Sequence, residues 1–168
     1  MPYIEIDSID RKILKELQRD GRLSNSDLSK IVGLSPSPCL RRVKRLEKEG
    51  FIKSFSAVLD RQKIGLSLTV FAEFTLGSAS REAAMDFENQ LRAIPQVVTC
   101  HMLSGSSDCL AEIVVPSIEI YETLLSQTLR ELPHVRDIRS NIALKRVKSE
   151  TPMPLDHIKR PLSGPDCS

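Results

Sequence analysis

Two prolines that stand one residue apart, directly before a basic segment, constrain the fold of this chain more than any other feature. The stretch reads SPSPCLRRVKRLEKEG, residues 35–50. Proline has no backbone N–H, and the first turn of a helix is where that donor has no intrahelical partner to lose. Ser35 or Ser37 can serve as the N-cap by accepting a backbone N–H. The pattern therefore predicts a helix that begins at the prolines and is closed by Gly50.

The predicted helix has an apolar side and a basic side. At about 100° per residue, an arc of about 120° holds Cys39, Leu40, Val43 and Leu46, which are the expected core residues. The opposite side is centred on Arg41, Arg45 and Lys48, with Arg42 and Lys44 beside it. Residues 35–53 carry six basic and two acidic side chains, a net +4, whereas residues 61–168 carry 12 basic and 13 acidic ones, a net −1. Positive charge concentrated in this way favours a polyanionic partner.

Two shorter helices precede the basic one. The first opens at Asp7, ends at Gly21 and places Ile9, Ile13, Leu14 and Leu17 on one side. The second is capped by Ser24, ends at Gly33 and places Leu28, Ile31 and Val32 inward. Three helices with a glycine-containing turn before the third match the helix-turn-helix layout. The alternating segment FIKSFSAVLD, residues 51–60, predicts a strand and so a winged module.

In the second half of the chain the spacing of apolar residues alternates between the period of strands and the period of helices. This pattern predicts a βαββαβ order. The expected strands are residues 66–76, 97–103, 109–115 and 135–147, and the expected helices are 80–93 and 117–132. The residues expected to share one side of each element are Leu68, Val70, Ala72 and Phe74, then Ala84, Phe87 and Leu91, then Ile118, Tyr121, Leu125 and Leu129 or Leu132, then Ile138, Ser140, Ile142 and Leu144. This order is that of the ferredoxin-like fold. The sequence thus predicts an α+β chain with a DNA-binding domain at 1–60, a hinge at 61–66, a ferredoxin-like domain at 67–150 and an extended proline-rich tail at 151–168. Only the first part of this tail, to about Leu155, is expected to be ordered.

Several classes of protein are disfavoured. No apolar run approaches the roughly 20 residues of a membrane helix, and residues 1–10 lack a signal-peptide layout, which predicts a cytoplasmic protein without a membrane partner. The four cysteines, Cys39, Cys100, Cys109 and Cys167, form no CxxC pair. We therefore expect reduced thiols, no metal and no cofactor. No phosphate-binding glycine motif or nucleophile elbow is present, so the chain is not expected to be an enzyme.

Three stretches resemble one family of regulators. Residues 9–52, IDRKILKELQRDGRLSNSDLSKIVGLSPSPCLRRVKRLEKEGFI, resemble the winged helix-turn-helix of the Lrp/AsnC (leucine-responsive and asparagine-responsive) transcription regulators. The run GLSPSPCLRRVKRLE, residues 33–47, is the most specific part of the match. HMLSGSSDCLAEIVVP and LPHVRDIRSNIALKRVK, residues 101–116 and 132–148, resemble the effector-binding and oligomerisation (RAM) half of the family.

The resemblance implies three kinds of partner. It implies a sequence-specific regulator that binds double-stranded DNA, and a homodimer built through the ferredoxin-like halves that assembles further, with an octamer favoured. It also implies a small-molecule effector, usually an amino acid, that binds between dimers and alters assembly or DNA affinity. Such an effector acts only through its different affinity for the two arrangements.

The residues predicted to contact DNA lie at two helix starts and along the basic helix. They are Arg22, Ser24, Asn25, Ser35, Ser37, Pro38, Arg41, Arg42, Lys44, Arg45 and Lys48. The serines and the helix N-terminus suit phosphate oxygens, Arg41 and Arg45 are candidates for base edges or groove phosphates, and the other cations attract phosphates without reading sequence. For the three residues at the second helix, simple capping is an equally good interpretation.

The predicted effector site is the turn SGSSDC, residues 104–109. Gly105 and Asp108 match the family pattern, in which freed backbone amides can receive a carboxylate and the aspartate an ammonium group. Alternatively, both residues serve turn geometry only. Cys109 stands where an aromatic residue is common in the family, so leucine cannot be assumed as the effector. The full predicted set is Met102, Ser104, Gly105, Ser106, Ser107, Asp108, Cys109, Ser140 and Asn141, and ordinary sheet roles for Met102, Ser140 and Asn141 remain open.

A second class of function is compatible with the same sequence. A metabolite-binding or enzymatic protein could use a ferredoxin-like domain and present the basic helix to a protein partner. Binding to random duplex DNA over a salt series separates the two, because a DNA-binding protein loses affinity steeply as salt rises.

Overall fold

The computed structural model describes residues 6–78, 80–148 and 152–158, and the chain divides into two compact units. The first contains the described residues up to Val58 and those after Val147, and the second is Leu59–Val147. Each unit has an apolar core of its own. The predicted hinge, residues 61–66, is a hydrogen-bonded turn at the start of the second unit, in which the N–H of Leu66 donates to the carbonyl of Arg61 at 2.8 Å.

The first unit contains three helices whose ends are set by local signals. They are α1, Ser8–Arg19, α2, Asn25–Val32, and α3, Pro36–Lys48. Asp7 caps α1 by accepting the N–H groups of Ile9 and Asp10 at 2.9 and 2.8 Å, and the Asp10 carboxylate accepts the N–H of Asp7 at 3.3 Å. This is a reciprocal capping box. Gly33 ends α2 in the left-handed region, at a φ of 77°, where glycine is favoured.

The core of the first unit differs from the prediction at two positions. Its buried residues are Ile6, Ile13, Leu14, Leu28, Val32, Cys39 and Leu46. Ile31 and Leu40, both predicted to point inward, are 44% and 42% exposed. On α3 the buried side is centred between Cys39 and Leu46, and Leu40 lies about 100° from it, at the far edge of the predicted apolar arc. An apolar residue at the edge of such an arc can face solvent.

The predicted wing strand is absent. Residues 51–60 contain no strand, although their alternation favours an extended chain. A strand requires a neighbour whose N–H and C=O groups complete its ladder, and alternation alone does not supply one. Within this segment the amides of Phe51 and Ile52 instead donate to the carbonyl of Leu46, at 2.9 and 3.2 Å, and so finish the end of α3.

Part of the tail packs against the first unit, over a segment that begins where the sequence predicted order and continues to Ile158. Leu155 and Ile158 pack against the apolar core of that unit. The N–H of Met153 donates to Oε1 of Gln18 at 2.7 Å, and Nε2 of Gln18 donates to the carbonyl of Met153 at 3.4 Å. Two apolar side chains and two hydrogen bonds to Gln18 therefore hold residues 152–158 on the first unit. The rest of the predicted tail, residues 159–168, lies outside the described residues.

The second unit has the predicted ferredoxin-like arrangement. Its elements are β1, Leu68–Leu76, α4, Arg81–Arg92, β2, Val97–Met102, β3, Cys109–Val115, α5, Ile118–Leu124, a wider π-helical turn, Leu125–Leu129, and β4, Val135–Ile142. The strands lie in the order β2-β3-β1-β4, and every neighbouring pair is antiparallel. The α+β fold class is confirmed.

The two helices cover one face of this sheet. Val70, Ala72 and Phe74 of β1 point to that face and are fully buried, opposite Ile113, Ala111 and Cys109 of β3. The side chains that close the core from the helices are Ala83, Phe87, Leu91, Tyr121, Leu129 and Leu132. The Phe74 and Phe87 rings lie 5.3 Å apart between centroids, tilted by 58°. Alternation in β1 predicted this face correctly.

One prediction in the second unit is wrong. The last strand was expected to reach Val147 but ends at Ile142, and Leu144 is 97% exposed. The ladder with β1 pairs Val70 with Ile142, and the N–H of Ala143 donates to the carbonyl of Thr69 at 2.9 Å. Because β1 begins at Leu68, its partner strand has almost no backbone left to pair with beyond that point. In addition, Ile118, which the pattern groups with Tyr121 and Leu125, is 40% exposed at the start of α5.

Candidate DNA-binding surface and effector turn

The start of α3 presents hydroxyl groups to solvent. Ser35 is the N-cap residue, but its side chain makes no capping hydrogen bond, which differs from the prediction. Because Pro36 and Pro38 have no N–H, the backbone donor within the first turn comes from Ser37. Nδ2 of Asn25 donates to the carbonyl of Pro36 at 2.9 Å and thereby ties the start of α2 to the start of α3. Ser35 and Ser37 are both exposed to solvent.

One side of α3 is exposed along its whole length, and we call it the α3 outer face. Its residues are Ser37, Leu40, Arg41, Lys44 and Lys48. Spacings of three and four residues place them within an arc of about 100°. Lys44 lies near the centre of this face, whereas the sequence predicted it at the flank. Arg45, predicted at the centre, is turned toward α1.

Arg42 and Arg45 bind carboxylates of α1 and its cap. Nη1 of Arg42 donates to Asp10 at 2.9 Å and to Asp7 at 2.6 Å, and Nη2 of Arg45 donates to the other oxygen of Asp10. Asp10 is fully buried, and among the described residues its charge is satisfied by these two guanidinium groups and by the capping bond. The arrangement holds α3 against α1.

In this cluster the aspartates favour the charged form of Arg42, and Arg42 favours the charged form of Asp7. Hydrogen bonds to Asp10 and Asp7 raise the pKa of Arg42 above its usual value. Burial alone would raise the pKa of Asp7, but hydrogen bonds from the N–H of Asp10 and from Arg42 outweigh it, and the pKa of Asp7 is lowered. The positive charges of Arg42 and Arg45 are balanced by the negative charges of Asp7 and Asp10. The positive field of α3 therefore comes from Arg41, Lys44 and Lys48 on the outer face.

At the start of α2 the structure shows capping roles. The Ser24 hydroxyl accepts the N–H of Asp27 at 3.1 Å and donates to the Asp27 carboxylate at 2.6 Å. That hydroxyl, followed by Lys30, lowers the pKa of Asp27. Asn25 bridges to α3, and the Arg22 side chain is exposed. DNA contact by these three residues stays a prediction.

The predicted effector turn joins β2 to β3 and is anchored by Asp108. The N–H of Leu103 donates to the carbonyl of Asp108 at 2.9 Å, which closes the turn. The Asp108 carboxylate accepts the N–H of Leu76 at 2.8 Å, so it also holds the end of β1. Gly105 has no left-handed φ, and a Cβ placed on it would meet nothing within 4 Å. The turn thus leaves open space beside Gly105.

Glu73 joins two of the predicted effector residues, although sequence reasoning missed it. Its carboxylate accepts hydrogen bonds from the Ser107 hydroxyl at 3.4 Å and from Nδ2 of Asn141 at 3.0 Å, and Nη1 of Arg139 lies 4.0 Å away. Glu73 points to the side of β1 opposite the core. Its pairing with Arg139 across β1 and β4 is a matter of strand register, which the sequence alone does not reveal.

The remaining predicted effector residues lie on the other face of the sheet. Cys109 is fully buried, and the Ser140 hydroxyl is hydrogen-bonded to that of Tyr121 at 2.5 Å. Met102 lines a cleft of about 200 Å³ between α4 and β2, with Glu88, Arg92, Val97 and Cys100. Ser140 and Asn141 are adjacent on a strand and so point to opposite faces. The predicted set therefore does not converge on one cavity.

The two units together define a class of protein: a DNA-binding regulator with a helix-turn-helix and a separate ligand-binding half. Residues 6–53 match a family described as winged helix-turn-helix DNA-binding, and residues 69–153 match the Lrp/AsnC ligand binding domain. The leucine-responsive regulatory protein of Escherichia coli K12 is 44% identical over 147 residues, which is 88% of this chain and 90% of that protein. The chain belongs to the Lrp/AsnC family of transcriptional regulators.

Solved structures agree with the assignment. A transcriptional regulator of Neisseria meningitidis in complex with L-Met has a TM-score of 0.87 at 36% identity, covering 92% of this chain and 99% of that one. An AsnC family regulator of Agrobacterium tumefaciens has a TM-score of 0.85 at 37% identity, covering 90% and 99%. The resemblance predicted from residues 33–47 is confirmed, and the rival reading of a metabolite-binding or enzymatic protein is not favoured. Within residues 6–78, 80–148 and 152–158, no helix is long and apolar enough to cross a membrane.

Proposed function

We propose that this chain reads operator DNA with the α3 outer face and senses a free amino acid near the β2–β3 turn. The observation that carries the DNA role is the separation of the cations of α3. Among the described residues, no carboxylate pairs with Arg41, Lys44 or Lys48, whereas Arg42 and Arg45 bind aspartates. Cations without an internal partner can bind phosphates, and Arg41 can also reach a guanine edge in the major groove.

Within this proposal the residues at the start of α3 position the protein on DNA. The hydroxyls of Ser35 and Ser37 and the N–H of Ser37 donate to phosphate oxygens, where the positive end of the helix dipole adds to the attraction. Lys44 and Lys48 bind phosphates without reading sequence. Arg42 and Arg45 contribute indirectly, because they hold α3 at a fixed angle against α1. Arg22 lies exposed before α2 and is a further phosphate contact.

The effector role rests on the turn and on Glu73. We propose that the ammonium group of an amino acid is received by Glu73 or by the free lone pairs of Asp108, and its carboxylate by backbone N–H groups of residues 105–107. The L-Met complex of the Neisseria relative and the match to a ligand binding domain support this class of ligand. Cys109 is buried at the base of the turn, where it supports the turn without contacting the ligand.

We further propose a homodimer formed through the ferredoxin-like unit, assembling to an octamer and acting in the cytoplasm, where the DNA is. The face of the sheet that the helices leave uncovered supports this. It carries Phe71 beside an ion cluster in which Glu112 accepts from Arg61 at 2.6 Å and from Arg146 at 3.2 Å. A ligand that binds one assembly better than another then changes DNA affinity by that difference alone.

The DNA role is tested by measuring binding of the full chain to random duplex DNA over a salt series. Each phosphate neutralised contributes a slope of about −0.9 in log K against log salt, so a dimer that uses several cations gives a steep decrease. A flat response would remove the DNA-binding proposal and leave the ferredoxin-like protein with a protein partner.

The effector role is tested by a thermal-shift screen of the twenty amino acids. A ligand that binds only the native chain raises its melting temperature. Glu73→Gln should abolish the shift if Glu73 receives the ammonium group. Asp108→Ala should remove the bond to Leu76 and so disturb the turn. Asp108→Asn should keep that bond and remove only the charge, so comparing the two variants separates a charge effect from a loss of the turn. If no amino acid shifts the melting temperature, the effector proposal fails while the DNA proposal stands.

A further inference from the structure

Two cysteines that are nine positions apart in sequence meet across the β2–β3 pair. The Sγ atoms of Cys100 and Cys109 lie 3.1 Å apart. In the ladder Cys100 is opposite Ala111 and Met102 is opposite Cys109, so the cysteines occupy diagonal positions on the same face of neighbouring strands. A disulfide is about 2.05 Å long, so the sulfur atoms need to approach by only about 1 Å to form one.

We propose that Cys100 and Cys109 are a thiol-oxidation site that forms a reversible intramolecular disulfide when the chain meets hydrogen peroxide. Cys100 is exposed and lines the cleft between α4 and β2, where Arg92 and Glu88 also lie. Cys109 is fully buried directly behind it. An accessible thiol backed by a second thiol is the arrangement of reversible thiol oxidation. This inference is independent of the DNA and effector proposals.

The two thiols have different parts in the reaction. Burial, with the neighbouring Cys100 thiol adding to it, raises the pKa of Cys109 well above its usual value. Because its side chain is fully buried, Cys109 is out of reach of an oxidant in solution. Cys100, at the mouth of the cleft, is the sulfur that meets the peroxide first.

The reaction balances with the peroxide as the oxidant. The sulfur of Cys100 attacks one peroxide oxygen, the O–O bond breaks, and Cys100 becomes a sulfenic acid while the other oxygen leaves as water with the thiol proton. The sulfur of Cys109 then attacks Cys100, the S–O bond breaks, and the hydroxyl leaves as a second water with the proton of Cys109. Two electrons have passed from the thiols to the peroxide. A low-molecular-weight thiol reverses the link by exchange.

The position of the pair gives the link a structural consequence. Cys109 follows Asp108 directly, so the disulfide would join the two strands at the base of the turn formed by residues 104–108. Disulfides in reducing compartments are usually transient and regulatory. Oxidation would therefore fix the base of the turn, and reduction would release it.

The test uses the full chain, reduced and freed of reductant, then treated with hydrogen peroxide near stoichiometry and blocked with N-ethylmaleimide. Trypsin leaves both cysteines in one peptide, because no Lys or Arg lies between Arg92 and Arg130. Cleavage before aspartate separates them into Asp86–Ser107 and Asp108–Arg136. We expect these two fragments to be joined by a disulfide after oxidation and to be separate, with both thiols alkylated, after dithiothreitol.

Matched variants identify the pair. Cys100→Ser, at an exposed position, should keep the melting temperature and lose the joined fragments, whereas Cys167→Ser should keep them. The proposal is overturned if peroxide gives sulfinic or sulfonic acid at Cys100 while Cys109 still alkylates. It is overturned equally if the cross-links join two chains, or join Cys100 to Cys39 or Cys167.

Discussion

Arg42 of α3 donates a hydrogen bond of 2.9 Å to the fully buried carboxylate of Asp10 in α1, and Arg45 occupies the other oxygen of the same carboxylate. These contacts separate the basic residues of α3 into two groups that the sequence does not distinguish. Two of its arginines stabilise the helix-turn-helix, and Arg41, Lys44 and Lys48 remain on the outer face. Substitutions of neighbouring arginines should therefore affect different properties.

Arg41→Ala should weaken binding to operator DNA by about 1–3 kcal/mol and leave the melting temperature unchanged, because Arg41 faces solvent and can contact a base edge or a phosphate. Fluorescence anisotropy at fixed salt measures the first quantity and thermal melting the second. Arg130→Ala, an exposed arginine of the second unit, is the matched control and should change neither. An equal loss of stability and binding would show that Arg41 is structural.

Arg45→Ala and Arg42→Ala should each lower the free energy of unfolding, by about 1–3 kcal/mol, because each leaves the buried Asp10 with one guanidinium partner. The Arg45 side chain is 41% exposed, so solvent screening places its effect toward the lower figure. The double substitution should cost more than the sum, since Asp10 then has no cation. Urea unfolding of the four proteins measures this. Strict additivity would contradict the shared-carboxylate account, and Lys44→Ala should change stability little.

Stability should fall in acid partly through Asp7. Its pKa is lowered from the ordinary value of 3.8 in the folded chain, so its contribution is present above that value and is lost as pH falls through the folded pKa. Asp7→Ser keeps an N-cap oxygen and removes the charge. The difference in unfolding free energy between the natural chain and this variant should therefore shrink from neutral pH to about pH 3. A difference that is constant over this range would exclude the charge of Asp7 as the cause.

Leu155→Ala should lower the free energy of unfolding of the first unit by about 1–2 kcal/mol, because a partly buried leucine loses contact with the apolar core. Urea unfolding of the full chain, followed by a probe in the first unit, measures the effect. Asp156→Ala, an exposed neighbour, is the control. No change with Leu155→Ala would mean that residues 152–158 do not contribute to stability.

Local signals in the sequence predicted the elements well. The ends of α1, α2 and α3 follow from Asp7, Ser24, Gly33 and the prolines, because each signal acts on the backbone within one turn. Predictions that depended on a partner strand failed: residues 51–60 formed no strand, and β4 ended at Ile142. A strand can extend only over residues that have a neighbouring strand to pair with. The length of that neighbour depends on other parts of the chain.

The sequence by itself determined the order of helices and strands, the α+β fold and membership of the Lrp/AsnC family. The signals for these are periodicity, capping residues and the run at 33–47, and each of them lies among residues that are close together in the sequence. Only the tertiary structure decided that Arg45 turns to Asp10, that Glu73 joins Ser107 to Asn141, and that Cys100 meets Cys109. The reason is that backbone preferences act between near neighbours, whereas these contacts depend on strand register and helix rotation. Those are fixed only when distant segments pack together.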